Sequence, residues 1–297
     1  MNTLDDVRVH FNPNQLLFLN LALGFLMFSV SFDINLRDFK SVVANPRALI
    51  VGLVCQYFLF PILTMAMIYV VRPEATVALG LVLVSACPSG NMANFMTNYA
   101  KGNISLSVSL NSVITLGAAF STPLVFHFWS QFLPDKSSVA SEIQIPFIDM
   151  VTIIAQVIVL PLVIGLSLRH YFPSAMSRIK KTVSVMALLL FFGIVAGAIA
   201  GNWQNIKEHL SKVFLWVAIH NAIALLMGYF FARAARLSVT DCRTIAFECG
   251  IHNTLLGLIL IFNFFGGIGG MAMIAAWWGI WDLIVAFSLA SYWRRRV

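Results

Sequence analysis

Long apolar runs separated by short polar segments dominate the sequence. A bilayer core about 30 Å thick needs roughly 20 apolar residues to be crossed by a helix. The pattern predicts nine such spans, at 15–33, 48–70, 75–99, 104–124, 147–168, 182–200, 213–232, 243–264 and 270–292. The stretch at about 125–146, "HFWSQFLPDKSSVASEIQIPFI" with its neighbours, is the only sizeable loop in this reading, and no soluble domain fits between the runs. The expected fold class is an all-α polytopic membrane protein, one transmembrane domain over residues 1–297.

Composition supports this. Of the 297 residues, 60% are hydrophobic and 10% charged, against about 25% charged in soluble globular proteins. Mean hydropathy is +0.87. The net charge of +7 sits in short clusters between apolar runs, not along one face, which argues against a nucleic-acid partner. Fourteen of the 19 Lys and Arg residues follow spans 1, 3, 5, 7 and 9; Arg8, Arg72, Lys136, Lys207 and Lys212 fall on the other side. By the positive-inside rule this predicts an outside N-terminus and a cytoplasmic C-terminus in a cell (inner) membrane. The N-terminal "MNTLDDVRVHFNPNQ" is acidic and has no cleavable-signal pattern, so the first run is expected to stay as a span. Cys55, Cys87, Cys242 and Cys249 form no CxxC pair, and no disulfide framework or zinc site is indicated.

Polar residues inside the runs carry the chemistry, because they are expensive in hydrocarbon. Two acids lie deep: Glu248 in span 8 and Asp282 in span 9. Glu248 belongs to "FECGIHN", where His252 at i+4 is expected on the same helical face. A self-satisfying Glu–His pair is one reading, but a buried pair is weak support for stability. A zinc site is another, and it lacks an HExxH motif or further convergent ligands.

Span 3 contains "CPSGNMANFMTNYAKGN", with Pro88, Gly90, Asn91, Asn94 and Thr97. Pro removes a backbone donor and Gly loosens the helix, so this span should break at mid-depth. Freed backbone groups are tolerated at that depth only where they line a cavity or are buried in protein. Span 4 adds Ser107 and Asn111 one turn apart; Ser105, Ser109 and Ser112 read as helix packing. Gln56 precedes Pro61 in span 2, and Gly250 is expected to open span 8 between Glu248 and His252. The breaks in spans 3 and 8 lie in oppositely directed halves, the pattern that points to a secondary transporter's binding site. Glu248, Asn94, Ser107, Asn111 and Gln56 are the candidate oxygens. One carboxylate among neutral oxygens suits a monovalent cation better than Ca²⁺, so Na⁺ is expected, with H⁺ as the competitor.

The blocks "LALGFLMFSVSFDINLRDFKSVVANPR", "GLVCQYFLFP", "VLVSACPSGNMANFMTNYAKGNISLSVSLNSVIT" and "RTIAFECGIHNTLLG" resemble the bile acid:sodium symporter family over nearly the whole chain. The resemblance implies an inverted-repeat transporter in the nine-span form, with halves of four and five. It implies a core domain crossed by two broken helices, here about 75–99 and 243–264, and a smaller panel domain. One sodium site would use Asn94, Ser107 and Glu248, with Ala93 and Asn111 in the same shell. The other would use Gln56, Glu248, His252 and the carbonyls of Cys249 and Ile251. Asn91 and Asn253 would face the substrate cavity. Ala93 and Asn111 replace the family's usual hydroxyl residues. His252 stands where Gln is common, and Asp282-Leu283 where a His-Asn pair is common, which places Asp282 near the substrate.

The expected function is sodium-coupled symport of a small organic anion by alternating access. The substrate classes are bile-acid-like molecules, steroid conjugates, pantothenate or keto acids. No cofactor and no obligate protein partner are expected beyond the coupling ion and the lipid bilayer. The alternative is a proton-coupled or proton-modulated carrier using His252 and Asp282, since a free imidazole titrates near physiological pH. An intramembrane enzyme using Glu248, His252 and Asp282 is remote, because no nucleophile–base pair supports it. Trp277, Trp278 and Trp281 read as interface anchors more readily than as cavity lining.

Overall fold

The computed structural model describes residues 13–32, 34, 46–90, 92–134, 147–201 and 203–296. Among these the chain is almost entirely helical, with one isolated bridge between extended residues and no named strand. The helices are α1 (Pro13–Val30), α2 (Arg47–Val71), α3 (Ala75–Ala86), α4 (Met92–Tyr99), α5 (Ile104–Ser130), α6 (Phe147–Tyr171), α7 (Pro173–Gly201), α8 (Trp203–Ala234), α9 (Val239–Gly250), α10 (Thr254–Phe264) and α11 (Gly269–Arg294). Within them, Arg47–Val71, Ile104–Ser130, Phe147–Tyr171, Val213–Ala234 and Gly269–Arg294 are each long and apolar enough to cross a membrane.

The distribution of side chains is that of a protein solvated by lipid. Leu21, Phe58, Val70, Phe120, Ile148, Leu189 and Phe230 are all exposed large hydrophobics, while Gln56, Ser107, Asn111, His220, Asn221, Glu248 and Asp282 are buried. Lipid is as apolar as Leu, so apolar burial gains little and packing with internal polar contacts holds the helices together. The chain is an integral, multi-pass membrane protein.

Both expected breaks are present. Cys87 is pushed into an extended conformation (φ −68°, ψ 148°), because the residue before proline avoids the helical region. α3 therefore ends at Ala86, and the chain resumes as helix at Met92. In the second broken span α9 ends at Gly250, Ile251 is extended (φ −117°, ψ 111°), and α10 starts after Asn253. The Asn253 side-chain oxygen accepts from Leu256 N–H at 3.2 Å and caps α10.

Two spans contain a π turn in place of a break, at Cys55–Leu59 in α2 and Ala155–Val159 in α6. Each precedes a proline, Pro61 or Pro161. A proline ring crowds the carbonyl four residues earlier. The helix widens by one residue instead, and Phe60 N–H reaches Cys55 O, as Leu160 N–H reaches Ala155 O. The widened turn holds Gln56 in the interior.

α1 packs against α6 and α7, while α2 packs on α3, α5 and α8, and α11 lies against α3, α8 and α10. The C-terminal end of α1 is tied to α6 by Arg169, whose Nη1 donates to the carbonyls of Ser31, Phe32 and Ile34. Lys180 of α7 donates to Phe32 O at 3.1 Å. Cations just beyond the last turn of a helix complement its dipole.

Helices run past the apolar runs at two places, and one expectation is corrected. α5 does not stop near residue 124 but continues through Ser130, because Phe126 is fully buried against Phe265 at 5.5 Å. The polar stretch between 200 and 213 is helical at 201 and 203–212. Gly250 does not open the helix. It is the last residue of α9, and it is needed for close approach: a Cβ there would run into the Leu225 side chain of α8.

Gly228 of α8 faces α9 in the same way, but its obstruction is backbone, with Ile245 O 2.8 Å and Ala246 Cα 3.0 Å from a Cβ. A side chain can repack and a helix backbone cannot. Gly250→Ala should thus lower the thermal midpoint in detergent and be largely restored by Leu225→Ala. Gly228→Ala should cost about 1–3 kcal/mol with no restoration by Leu225→Ala.

Candidate functional site

The two extended segments cross each other inside the protein. Gly90 N–H donates to Ile251 O at 2.8 Å, and Asn253 N–H donates to Pro88 O at 2.9 Å, with Ser89 opposite His252. This antiparallel pair satisfies four backbone groups that the helix breaks set free. It brings four helix ends to one point.

Glu248, on the last turn of α9, is 1% exposed. Its Oε2 accepts from Ser89 Oγ at 2.7 Å and its Oε1 from Ser107 Oγ at 2.5 Å. Asn111 Nδ2 donates in turn to Ser89 Oγ at 2.9 Å and lies 3.3 Å from Gly90 O. One carboxylate thus ties the crossing to α5. The register of α5 is set at its start by Asn103, which caps it through Leu106 N–H and donates from Nδ2 to Asp241 Oδ1 at 2.8 Å. Asn103 N–H donates to Thr244 Oγ1 at 2.8 Å, so α5 and α9 are locked together one end away from Glu248.

The site holds more acceptors than protons. Ser107 Oγ lies within bonding distance of both Glu248 Oε1 and Asn94 Oδ1, the latter at 2.7 Å. A hydroxyl has one proton, so with the amide in this orientation one oxygen pair lacks one. Asn94, Ser107 and Glu248 therefore fit a hard cation, which takes oxygen ligands. Ala93 is fully buried beside them on α4. Asn111 faces Ser89 and Gly90 with its donors, while its Oδ1 accepts from Thr115 Oγ1 at 3.2 Å.

Gln56 is 1% exposed. Its Nε2 donates to Cys87 O at 2.9 Å, the carbonyl of the residue that caps α3. Its Oε1 is buried with no partner. A buried acceptor left unpaired costs about 1–3 kcal/mol, and a cation or water removes that cost. The side chains of Cys249 and Ile251 are buried, and the Ile251 carbonyl is the one engaged by Gly90 N–H.

His252 lies elsewhere than expected. The helix ends at Gly250, so His252 does not share a helical face with Glu248. Its ring is in a buried cluster with Phe60 (5.1 Å), Trp278 (5.6 Å) and, across them, His220. Neither ring nitrogen of His252 has a partner. Its backbone N–H donates to Asp282 Oδ2 at 3.4 Å, which brings Asp282 of α11 to the crossing. Trp278 is fully buried in this cluster and is no interface anchor; Trp277 and Trp281 are half-buried. Asn253 spends its side-chain oxygen on the α10 cap. Asn91 lies outside the described residues.

Two neighbours on α8, His220 and Asn221, escaped the sequence reading. Thr64 Oγ1 donates to Phe60 O at 2.8 Å and lies 2.7 Å from His220 Nε2. The Nδ1 of His220 is buried with no partner. Asn221 Nδ2 donates to Gly250 O at 2.8 Å. The only sequence signal was an adjacent His-Asn pair inside an apolar run.

Residues 20–209 match the model of the Sodium Bile acid symporter family. The "uncharacterized sodium-dependent transporter YocS" of Bacillus subtilis is 27% identical over 281 residues, 94% of this chain and 84% of its own. A probable sodium/metabolite cotransporter, BASS2 of rice chloroplasts, is 31% identical over 242 residues, 81% of this chain; the chain spans 55% of its length. The human ileal sodium/bile acid cotransporter is 27% identical over 242 residues, 80% of this chain and 67% of its own. The family match runs from α1 into α8 and takes in the first broken span with its polar cluster: the chain belongs to the Sodium Bile acid symporter family.

Proposed function

We propose that the protein is a sodium-coupled symporter of a small organic anion, working by alternating access across a cell membrane. The observation that carries this reading is Glu248, a single buried carboxylate at the crossing whose two oxygens are engaged from both Ser89 and Ser107. One sodium ion binds among Asn94, Ser107 and Glu248, with Asn111 supporting the donors around it. A second uses Gln56 Oε1, Glu248, His252 and the carbonyls of Cys249 and Ile251. Sodium offsets the buried charge and holds the two broken helices in register. The substrate then enters beside them, near Asn91, Asn253 and Asp282. The nine-span arrangement, with an outside N-terminus and cytoplasmic C-terminus, puts α2–α5 and α8–α11 in the core and α1, α6 and α7 in the panel. The panel rocks against this core.

The relatives' names support sodium coupling and a bile acid or other metabolite as cargo. One departure favours a second reading. The imidazole of His252 has two buried, unpartnered nitrogens, and the backbone N–H of the same residue donates to an acid, Asp282. Protons in place of one sodium ion would use that pair.

Three experiments test these readings in proteoliposomes screened with bile acids, pantothenate and keto acids. Glu248→Gln should abolish sodium-driven uptake, and uptake at the wild-type level with the mutant would overturn the assignment. Ser107→Ala removes an oxygen and the donor to Glu248 Oε1. It should raise the sodium concentration for half-maximal uptake about tenfold, in line with the loss of one charged hydrogen bond. Accumulation driven by an inward pH gradient without sodium would select the proton reading.

A further inference from the structure

The hydrogen bonds at the crossing define an internal two-fold relation. The exchange that carries Ser89 to His252 carries Gly90 to Asn253 and Pro88 to Ile251. The two backbone bonds, Gly90 N–H to Ile251 O and Asn253 N–H to Pro88 O, then interchange. The same exchange carries Cys87, the residue that caps α3, to Gly250, the last residue of α9. It also carries α2, the helix before the first broken span, to α8, the helix before the second.

A pair of carboxamides obeys this relation. Gln56 of α2 donates Nε2 to Cys87 O at 2.9 Å, and Asn221 of α8 donates Nδ2 to Gly250 O at 2.8 Å. Both side chains are 1% exposed. In both, the acceptor is a carbonyl, which fixes the amide with its nitrogen toward the helix end. In both, the amide oxygen is buried and unpartnered. Gln56 is the expected cation ligand of the pair; Asn221 was not among the expected site residues. The two halves are otherwise unlike at this point. The α9 end carries Glu248 and the carbonyls assigned to the cation, and the α3 end has Ser85 bonded back to Val82 O.

We propose that Asn221 is a positioning residue for the sodium site. It latches the terminal carbonyl of α9 to α8, so that the last turn, Glu248 and the carbonyls of Cys249 and Ile251 hold the cation geometry. The proposal rests on the sodium reading above. The surroundings make the latch a tight one. Leu225, one turn along α8, fills the space at Gly250, and Gly228 lets α8 reach the backbone at Ile245 and Ala246. The end of α9 has no room to drift while the amide bond holds. Without it, Gly250 O is an unpaired carbonyl next to an apolar side chain, and the turn relaxes to find a donor. Groups that orient metal ligands typically affect affinity by 10–100-fold.

The test uses sodium itself, so no substrate need be known. The full chain, purified in detergent, is titrated with sodium chloride at constant ionic strength set by choline chloride. The thermal midpoint is followed for wild type, Asn221→Ala, Asn221→Asp and Asn221→Gln. Wild type should gain stability with sodium and not with choline. Asn221→Ala and Asn221→Asp both lose the donor and should both raise the half-stabilising sodium concentration at least tenfold. Asn221→Gln keeps the donor and should fall between them and wild type. Asn221→Asp is isosteric, so it reports even if the Ala variant fails to fold. If the Ala and Asp variants have lowered sodium-free midpoints and a wild-type half-point, Asn221 is structural only and the proposal fails. If Asn221→Asp tightens sodium while Asn221→Ala weakens it, the side-chain oxygen is itself a ligand and the latch role is wrong. If wild type shows no sodium-dependent gain, the sodium reading fails before the latch is tested.

Discussion

Everything at the centre of this protein depends on how two broken helices satisfy the backbone groups that their breaks expose. A helix interrupted in hydrocarbon leaves N–H and C=O groups without partners, at several kcal/mol each. Here the two extended segments satisfy each other, through Gly90 with Ile251 and Asn253 with Pro88. The solution needs both halves at once, so neither broken span is stable in this form without the other. It also needs small residues at the contact: a Cβ on Gly90 would lie 3.0 Å from His252 O.

The crossing concentrates helix ends, and helix ends concentrate charge effects. Glu248 is placed where hydroxyl donors from Ser89 and Ser107 meet it, and Asn111 stabilises Ser89 from behind. Among the described residues the buried carboxylate has hydroxyl donors from two segments of the chain and no cationic partner. The carboxamides of Gln56 and Asn221 then hold the terminal carbonyls of α3 and α9 against the flanking helices. The tight α8–α9 contact at Gly228 and Gly250 gives that part of the site its rigidity. Away from the crossing, Arg169 and Lys180 tie α6 and α7 to the carbonyls at the end of α1.

His252 shows how one residue's role depends on a single turn of backbone. On a continuous helix it would lie over Glu248. With the helix ended at Gly250, its ring instead joins Phe60, His220 and Trp278, and its backbone reaches Asp282. The polar atoms at the crossing therefore fall into two groups. Ser89 and Ser107 donate to the carboxylate, with Asn111 and Asn94 bonded to them in turn. The imidazoles and Trp278 form a ring cluster, and Asp282 meets the backbone of His252.

What the sequence determined by itself follows from local constraints. Run length marks the membrane-crossing helices, the Pro88 ring forces the break after Ala86, and the rarity of acids in hydrocarbon singles out Glu248 and Asp282. Each of these acts within a few residues and needs no knowledge of the neighbours. The partners of those residues are a different matter. Ser89 and Ser107 reach Glu248 from other helices, Asn221 finds Gly250, and Trp278 turns inward to a ring cluster. Gly250 is a glycine because of Leu225, not because of its own backbone angles. Only the tertiary structure decides such pairings, because in a lipid-solvated helix the polar stripe and the small-residue stripe say which faces turn inward but not which helix each face will meet.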